Sequence, residues 1–498
     1  MKYSAGLKGA VCGAALIAGG AAQADVTAAE VWEDWKAQIA IYGEDAVSIG
    51  GENQSGDTLT VSDLVVNFSD EDVTIDIDLG DVTFVEQGDG SVAVTMEDSF
   101  PASLKDDFGL EVNFEVSQTG FEMIVSGDPG ALSYDLRADT YTFALVDITE
   151  GDETFTADAR FVANDVRSVY NMQVNDMRTV DFEGSMASLD LLVDVAIPES
   201  DGEYVTISGK YEGFNMEGQA VVPLDFDMEN PEAAFADGLS YRINYAVDNM
   251  AGIFDIDVDG DQLAGSASNG ETTLDMDFSN DGISYDVALN DLAVNVTASQ
   301  LPFPVEVGLA QYGVAFEMPL SKSEEAREFG LSLDLVDLTL NDLVWNLFDP
   351  GTVLPRDPAT VQFAISGLAK PLIDMLNPED LIYSNDMPFE LESVSLDRLN
   401  VSVAGAAVTG VGEFTFDSSD MTTFAPLPKP EGDVVIEGSG INGLMDNLVA
   451  MGLIAEQDLM APRMMMGMFA RSTGDDRLES KLEINAEGHV LANGQRLR

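Results

Sequence analysis

A two-residue rhythm constrains this chain more than any other feature. Val73-Thr-Ile75-Asp-Ile77-Asp-Leu79 alternates apolar and polar residues without a break. Phe254-Asp-Ile256-Asp-Val258-Asp and Leu274-Asp-Met276-Asp-Phe278 do the same. Successive side chains of a β-strand point to opposite faces, so each run presents one apolar and one anionic face. On a helix the same residues would be spread around the whole circumference. The rhythm commits long stretches to strands whose apolar face must be covered by a second sheet, by helices or by an apolar ligand.

Strand follows strand from about Asp57 to Leu320. Leu59–Phe68, Val73–Phe84, Val92–Met96 and Leu110–Val116 are examples, with turn signals at Gln87-Gly-Asp-Gly90 and Asn280-Asp-Gly282. The segment Glu122–Leu136 resembles Asp275–Val287, each reading as strand, turn and Ser-Tyr-Asp opening a second strand. Ser240-Tyr241 repeats part of it. The spacings are unequal, so the pattern predicts a sheet grown from similar hairpins, not a solenoid.

Before this region, Thr27 and Glu30 fit a capping box, and Val31, Trp35, Ile39 and Tyr42 mark one face of a helix that plugs one end of the β-structure. The character changes near Ser321. Ser321 and Glu324 offer a second capping box, and Asn341–Phe348 reads as a short amphipathic helix ended by Asp349-Pro350-Gly351. Strands return over Thr360–Ser366, Phe389–Val403 and Val408–Phe416. A proline-rich linker, Pro426–Pro430, leads to a strand over Asp433–Gly438. Two helices, Ile441–Met451 and Glu456–Ala470, precede a closing hairpin. The expected organisation is a signal segment over 1–24, a helix over 25–50, antiparallel β over 51–320, and β with helices over 321–498. The fold class expected is mainly β, a β-rich α+β chain of elongated, curved antiparallel sheet with a few capping helices.

The first residues read as an export signal. Lys2 and Lys8 precede a small apolar stretch, Gly9–Ala22, and Ala22-Gln-Ala24 fits a cleavage site. The single cysteine, Cys12, lies inside that stretch, with Lys8 too close for a lipoprotein signal. The mature chain then has no thiol chemistry. No later run reaches the roughly 18 apolar residues of a spanning helix. A periplasmic protein without a transmembrane anchor is expected. The formal net charge of −68 disfavours nucleic acid and anionic membrane surfaces as partners and promotes solubility. At 45% apolar residues, patterned and not scattered, the chain is not a disordered acidic one.

Candidate sites are sparse. Asp255, Asp257 and Asp259 before Gly260 match the first half of a calcium loop, but position 12 is Ser266 and the flanking pattern is that of a strand. Met451, Met460, Met464, Met465, Met466 and Met468 crowd the C-terminal helices. Thioethers hold Cu(I), pack in a helix core, or make a plastic apolar surface. Met464, Met465 and Met468, with Trp345 and Phe348, are the candidates for an apolar-ligand surface. Arg356, held between Pro355 and Pro358, either pins its segment to a carboxylate or meets an anionic head group. His489 is the only histidine, which excludes multi-histidine metal sites, and no nucleophile elbow or phosphate loop is present. Ninety acids supply too many carboxylate pairs to single out a glycosidase pair. No cofactor is implied.

Leu340-Asn-Asp-Leu-Val-Trp345-Asn-Leu-Phe348-Asp-Pro350, Leu354-Pro-Arg-Asp-Pro358, the run from Ile441 to Gly452, the Met-rich helix and Glu487–Leu497 resemble an exported domain-of-unknown-function family of Gram-negative bacteria. That resemblance implies no catalytic residues. A looser likeness is to AsmA-like envelope proteins, which implies a curved antiparallel sheet with an apolar groove and a link to lipids. The leading expectation is a non-enzymatic periplasmic envelope protein that holds a lipid or other apolar ligand, with an envelope protein as a candidate partner. The alternatives are an acidic cation-binding or structural surface protein and a carboxylate-based glycoside hydrolase.

Overall fold

The structure, a computed structural model, describes residues 25–497 apart from 41–42, 44–45, 70–72, 152, 198–199, 201, 225–233, 236 and 378–387. The expected export signal and Tyr42 lie outside the described residues. The fold is mainly β and antiparallel, with few helices. The chain divides into two compact units, Met1–Ser268 with Thr297–Gln300 and Asn269–Val296 with Leu301–Arg498. The change of sequence character near residue 320 falls inside the second unit.

The first unit opens with α1 (Ala28–Ile39). Its strands are β1 (Val47–Ser48), β2 (Gly51–Ser55), β3 (Thr58–Ser69), β4 (Val73–Glu86), β5 (Val92–Thr95), β6 (Ser99–Asp106), β7 (Leu110–Thr119) and β8 (Glu122–Asp128). They continue with β9 (Ala131–Glu150), β10 (Glu153–Phe155), β11 (Asp158–Val174), β12 (Met177–Ala196), β13 (Tyr204–Pro223), β14 (Ser240–Val247), β15 (Asn249–Val258) and β16 (Asp261–Asn269). β5 and β6 share one side of β4, β7 and β8 share one side of β9, and β14 and β15 share one side of β13. Each of these short pairs therefore behaves as one long strand with a break in the middle.

The breaks recur from strand to strand. Asp63 in β3 (φ 51°), Gly80 in β4 (φ 64°), Gly120 between β7 and β8 (φ 62°), Asp165 in β11 (φ 50°) and Gly213 in β13 (φ 67°) all adopt the left-handed conformation in mid-strand. Asn164 and Val166 pair with Thr140 and Ala138, so Asp165 stands opposite Asp139 where the ladder is interrupted. Aspartate tolerates this conformation better than most residues, and at Asp63 the register with β4 shifts, as in a bulge that sharpens the local twist. Glycine is required at two of the positions for a second reason. A Cβ on Gly120 would collide with the Asp139 carboxylate, and one on Gly213 with that of Asp248. Asp63 and Asp165 lie outside the alternating runs read from the sequence and shape the backbone.

Helix α1 forms because its first turn is closed at both ends of a capping box. The Glu30 backbone N–H donates to the Thr27 hydroxyl (3.3 Å), and the Thr27 backbone N–H donates to the Glu30 carboxylate (2.8 Å). Its buried residues Ala28, Val31 and Trp32 pack on Val61, Leu64, Val82, Phe84, Val92, Val94, Val125 and Tyr134. Trp32 and Trp35 flank the Phe84 ring at 6.0 and 5.3 Å between centroids. This is the most completely buried apolar cluster of the first unit.

The second unit contains β17 (Thr272–Phe278), β18 (Gly282–Ala298), β19 (Val305–Pro319), β20 (Arg327–Leu340), β21 (Ala359–Pro371), β22 (Phe389–Val403), β23 (Ala406–Asp417) and β24 (Lys429–Ser439), each paired with the next. After β24 come β25 (Arg471–Gly474), β26 (Arg477–Ile484), β27 (Val490–Ala492) and β28 (Gln495–Arg496), with β26 continuing the sheet beside β24. Its helices are α2 (Asp342–Trp345), α3 (Ile441–Ala450) and α4 (Met460–Phe469). Asp291 in β18 (φ 53°) and Asp337 in β20 (φ 54°) repeat the left-handed interruption.

Two expectations need correction here. The Ser321–Glu324 capping box opens no helix. The Ser321 hydroxyl donates to the Asn280 carbonyl, Glu324 takes Lys370 at 3.0 Å, and the chain enters β20 at Arg327. The expected linker ending at Pro430 is shorter, because Lys429 and Pro430 already pair with Asp417 and Phe416 as β24 begins. A proline is tolerated there because it sits at the strand's start.

Candidate functional site

Register makes one face of the second unit's sheet apolar from strand to strand. Met276 stands opposite Tyr285, Tyr285 opposite Phe316, Phe316 opposite Leu331, Leu331 opposite Ile365 and Ile365 opposite Leu396. The neighbouring row is Leu274, Val287, Val314, Leu333, Phe363 and Leu399. Farther along the sheet Gly410 and Gly412 stand opposite Ile436 and Val434. Where Gly367 thins the face, the Phe329 ring lies over it, and Phe182 covers Gly218 in the same way in the first unit.

None of these apolar row residues is fully buried, and Leu331 remains 42% exposed. A face covered by a second layer of the same unit would bury such side chains as fully as α1 buries Phe84. In the first unit Phe143 and Phe161 stand opposite each other and are 48% and 47% exposed.

The opposite face of the second unit is polar in the same rows. Asp275 faces Asp286, which faces Ala315, Ser332, Ala364 and Arg398 in turn. Partial desolvation, with the charges of Asp275 and Asp334 beside it, raises the Asp286 carboxyl above the ordinary range. Asp334 accepts from Gln362 (2.7 Å) and Arg398 (2.8 Å), and Gln362 accepts from Asn400 (2.9 Å). These bonds join Asp334, Gln362, Arg398 and Asn400 into one polar ladder across three strands.

Arg356, Trp345 and Phe348 come together in one loop. The guanidinium donates to Asp342, to Asn346 (2.6 Å) and to the Asp349 carbonyl (3.2 Å), and lies 5.9 Å from the Trp345 ring centroid. Trp345 and Phe348 are 5.0 Å apart. Asp349, 1% exposed, accepts from the Val353 and Leu354 backbone N–H groups, both at 2.9 Å. Those N–H donors, Val353 first, hold its carboxyl below the ordinary range. The terminal nitrogens of Arg356 are thus engaged within its own loop.

Met464, Met465 and Met468 lie on a separate element, α4, and are 65%, 55% and 61% exposed. The core reading of these methionines is therefore overturned, because the helix buries none of its residues. Asp255 and Asp257 project from β15, where Asp255 accepts from the Tyr204 hydroxyl (3.0 Å) and Asp257 from Gln262 (2.7 Å). Asp259 occupies the left-handed position of the β15–β16 turn (φ 55°). The three acids belong to a hairpin and not to a helix-flanked loop. Among the described residues no group of three or more His, Cys, Asp or Glu is arranged to hold a metal ion. His489 sits in the β26–β27 turn, its backbone N–H donating to Asn485 (2.9 Å).

No protein-family model, no curated protein and no solved structure matches this chain. No helix among the described residues is long and apolar enough to cross a membrane.

Proposed function

We propose that this chain is a non-enzymatic protein of the periplasmic envelope that holds the hydrocarbon part of a lipid against the apolar face of its second unit. The carrying observation is the pair of apolar rows across β17–β22, none of whose residues is fully buried and in which Leu331 stands 42% exposed. From Tyr285 to Leu396 the row crosses four inter-strand spacings, on the order of 19 Å. A hydrocarbon chain laid along it gains about 0.8 kcal/mol per buried methylene. Ten methylenes would contribute on the order of 8 kcal/mol before the cost of immobilising the ligand. The acidic opposite face keeps such a sheet in water.

Organic extraction of the protein purified from an exporting host tests the reading. A stoichiometric lipid in the extract by mass spectrometry is the expected result. Its absence, together with no uptake of a fluorescent fatty acid by the extracted protein, would overturn it.

A further inference from the structure

We propose that the outward face of α4 is a Cu(I) site formed by the thioethers of Met464, Met465 and Met468. The proposal is independent of the lipid reading, which concerns the sheet. Burial usually explains a methionine-rich helix, and here it does not: the three side chains are 65%, 55% and 61% exposed, and Met460 beside them is 70% exposed. Exposed thioethers contribute nothing to a core and work against solubility.

Their spacing suits a three-ligand site. Met468 follows Met464 by four residues and Met465 by three, so it is a surface neighbour of both, with Cβ atoms about 5–6 Å apart. A helical side chain leans toward the N-terminus, over the turn before its own Cα. Met468 therefore lies over the turn that carries Met464 and Met465. Three rotatable bonds per side chain let the sulfurs converge.

The ligand chemistry selects the ion. Neutral, soft thioethers favour Cu(I) and offer little to Ca²⁺ or Mg²⁺, which take oxygen ligands. Three neutral ligands leave the single positive charge of Cu(I) in place, inside a chain whose net charge is −68. The cation on this helix, Arg463, is paired with Asp446, which offsets its repulsion. Thioethers carry no proton to release, so binding should not depend on pH, unlike binding by carboxylate, thiolate or imidazole.

The test is an anaerobic titration of the full chain with Cu(I) in ascorbate against bicinchoninate as a coloured competitor. One Cu(I) per chain should be withdrawn from the competitor, with the same protein affinity at pH 5 and pH 7 after correction for the competitor's own protonation. The triple variant M464L/M465L/M468L should lose that withdrawal while melting as the parent does, because leucine conserves volume and helix preference. If the triple variant fails to fold, methyl-labelled methionine spectra of the unaltered chain decide instead, with three methyl resonances shifting on addition of Cu(I). No withdrawal by the parent, equal withdrawal by a folded triple variant, a steep rise in affinity with pH, or unmoved methyl resonances would each overturn the proposal.

Discussion

The Tyr134 hydroxyl of β9 donates to the Asp34 carboxylate of α1, which also accepts from Gln38 (2.6 Å). Tyr170, packed edge-on to Tyr134 at 5.5 Å, donates to the Gln38 side-chain amide oxygen, Oε1 (2.8 Å). One helix is thus fixed to two strands through a polar cluster set beside an apolar one.

That cluster carries a pH dependence. Burial raises the Asp34 carboxyl above its ordinary range, against the lowering effects of Tyr134, Gln38 and the Arg178 charge. The unfolded chain ionises Asp34 at the ordinary value and the folded chain only at higher pH. The contribution of Asp34 to stability is therefore full below the ordinary value and is lost as pH rises through the folded value. The melting temperature of the parent minus that of Asp34→Asn should become more positive from pH 7 down to pH 4. An equal difference at both ends would show that Asp34 ionises normally.

Trp32 is 1% exposed, packs on Phe84 and donates from its indole nitrogen to Glu52 (2.7 Å). Trp32→Ala should destabilise the first unit by about 3–5 kcal/mol, as expected for emptying a large aromatic site. Denaturant unfolding followed in the first unit measures it. A loss under about 1 kcal/mol would mean that α1 is not integral to that core.

Gly120 (φ 62°) and Asp139 face each other so closely that the two positions should be coupled. Gly120→Ala should cost about 1–2 kcal/mol from the left-handed backbone alone, with the collision added. Asp139→Ala removes the colliding carboxylate. The double variant should lose less than the sum of the single losses, and strict additivity in a double-mutant cycle would show that the collision is not felt.

Leu331 and Glu317 lie in neighbouring strands on opposite faces of one sheet. Leu331→Glu should abolish uptake of a fluorescent fatty acid while shifting stability by about 1 kcal/mol, since the leucine is already 42% exposed. Glu317→Leu should leave uptake unchanged. Equal effects of the two substitutions would argue against a face-specific ligand.

Arg356→Lys keeps the charge and loses the planar fork that reaches Asp342, Asn346 and the Asp349 carbonyl together. Amide exchange over residues 342–357 should accelerate about tenfold, equivalent to roughly 1.4 kcal/mol of local stability. Unchanged exchange would show that the fork does not hold the loop.

The strands were legible because a period of two survives in the sequence wherever one face is apolar, as in Leu274–Phe278, which is β17 within two residues. Identical capping signals had opposite outcomes. Thr27–Glu30 is followed by apolar residues at helical spacing, whereas Ser321–Glu324 is followed by Phe329, Leu331, Leu333 and Leu335, which alternate. The run after the cap decided the structure in each case. The apolar face was legible as a pattern, but its rows were not, since they depend on pairings between residues far apart in sequence. The left-handed positions were missed because Asp63, Asp165, Asp291 and Asp337 look like surface acids. Each is followed by Leu or Val and interrupts its strand's alternation, and that interruption was the available signal.

Those interruptions bear on how the chain avoids folding wrongly. Strands this similar could pair one residue out of step, and such a slip would turn every apolar side chain to the wrong face. A left-handed residue in mid-strand sits where the partner's ladder is interrupted too, as Asp165 does opposite Asp139. Each interruption works as an index mark that favours one offset of its neighbour. The acids that give the chain its charge thereby also count its residues into place.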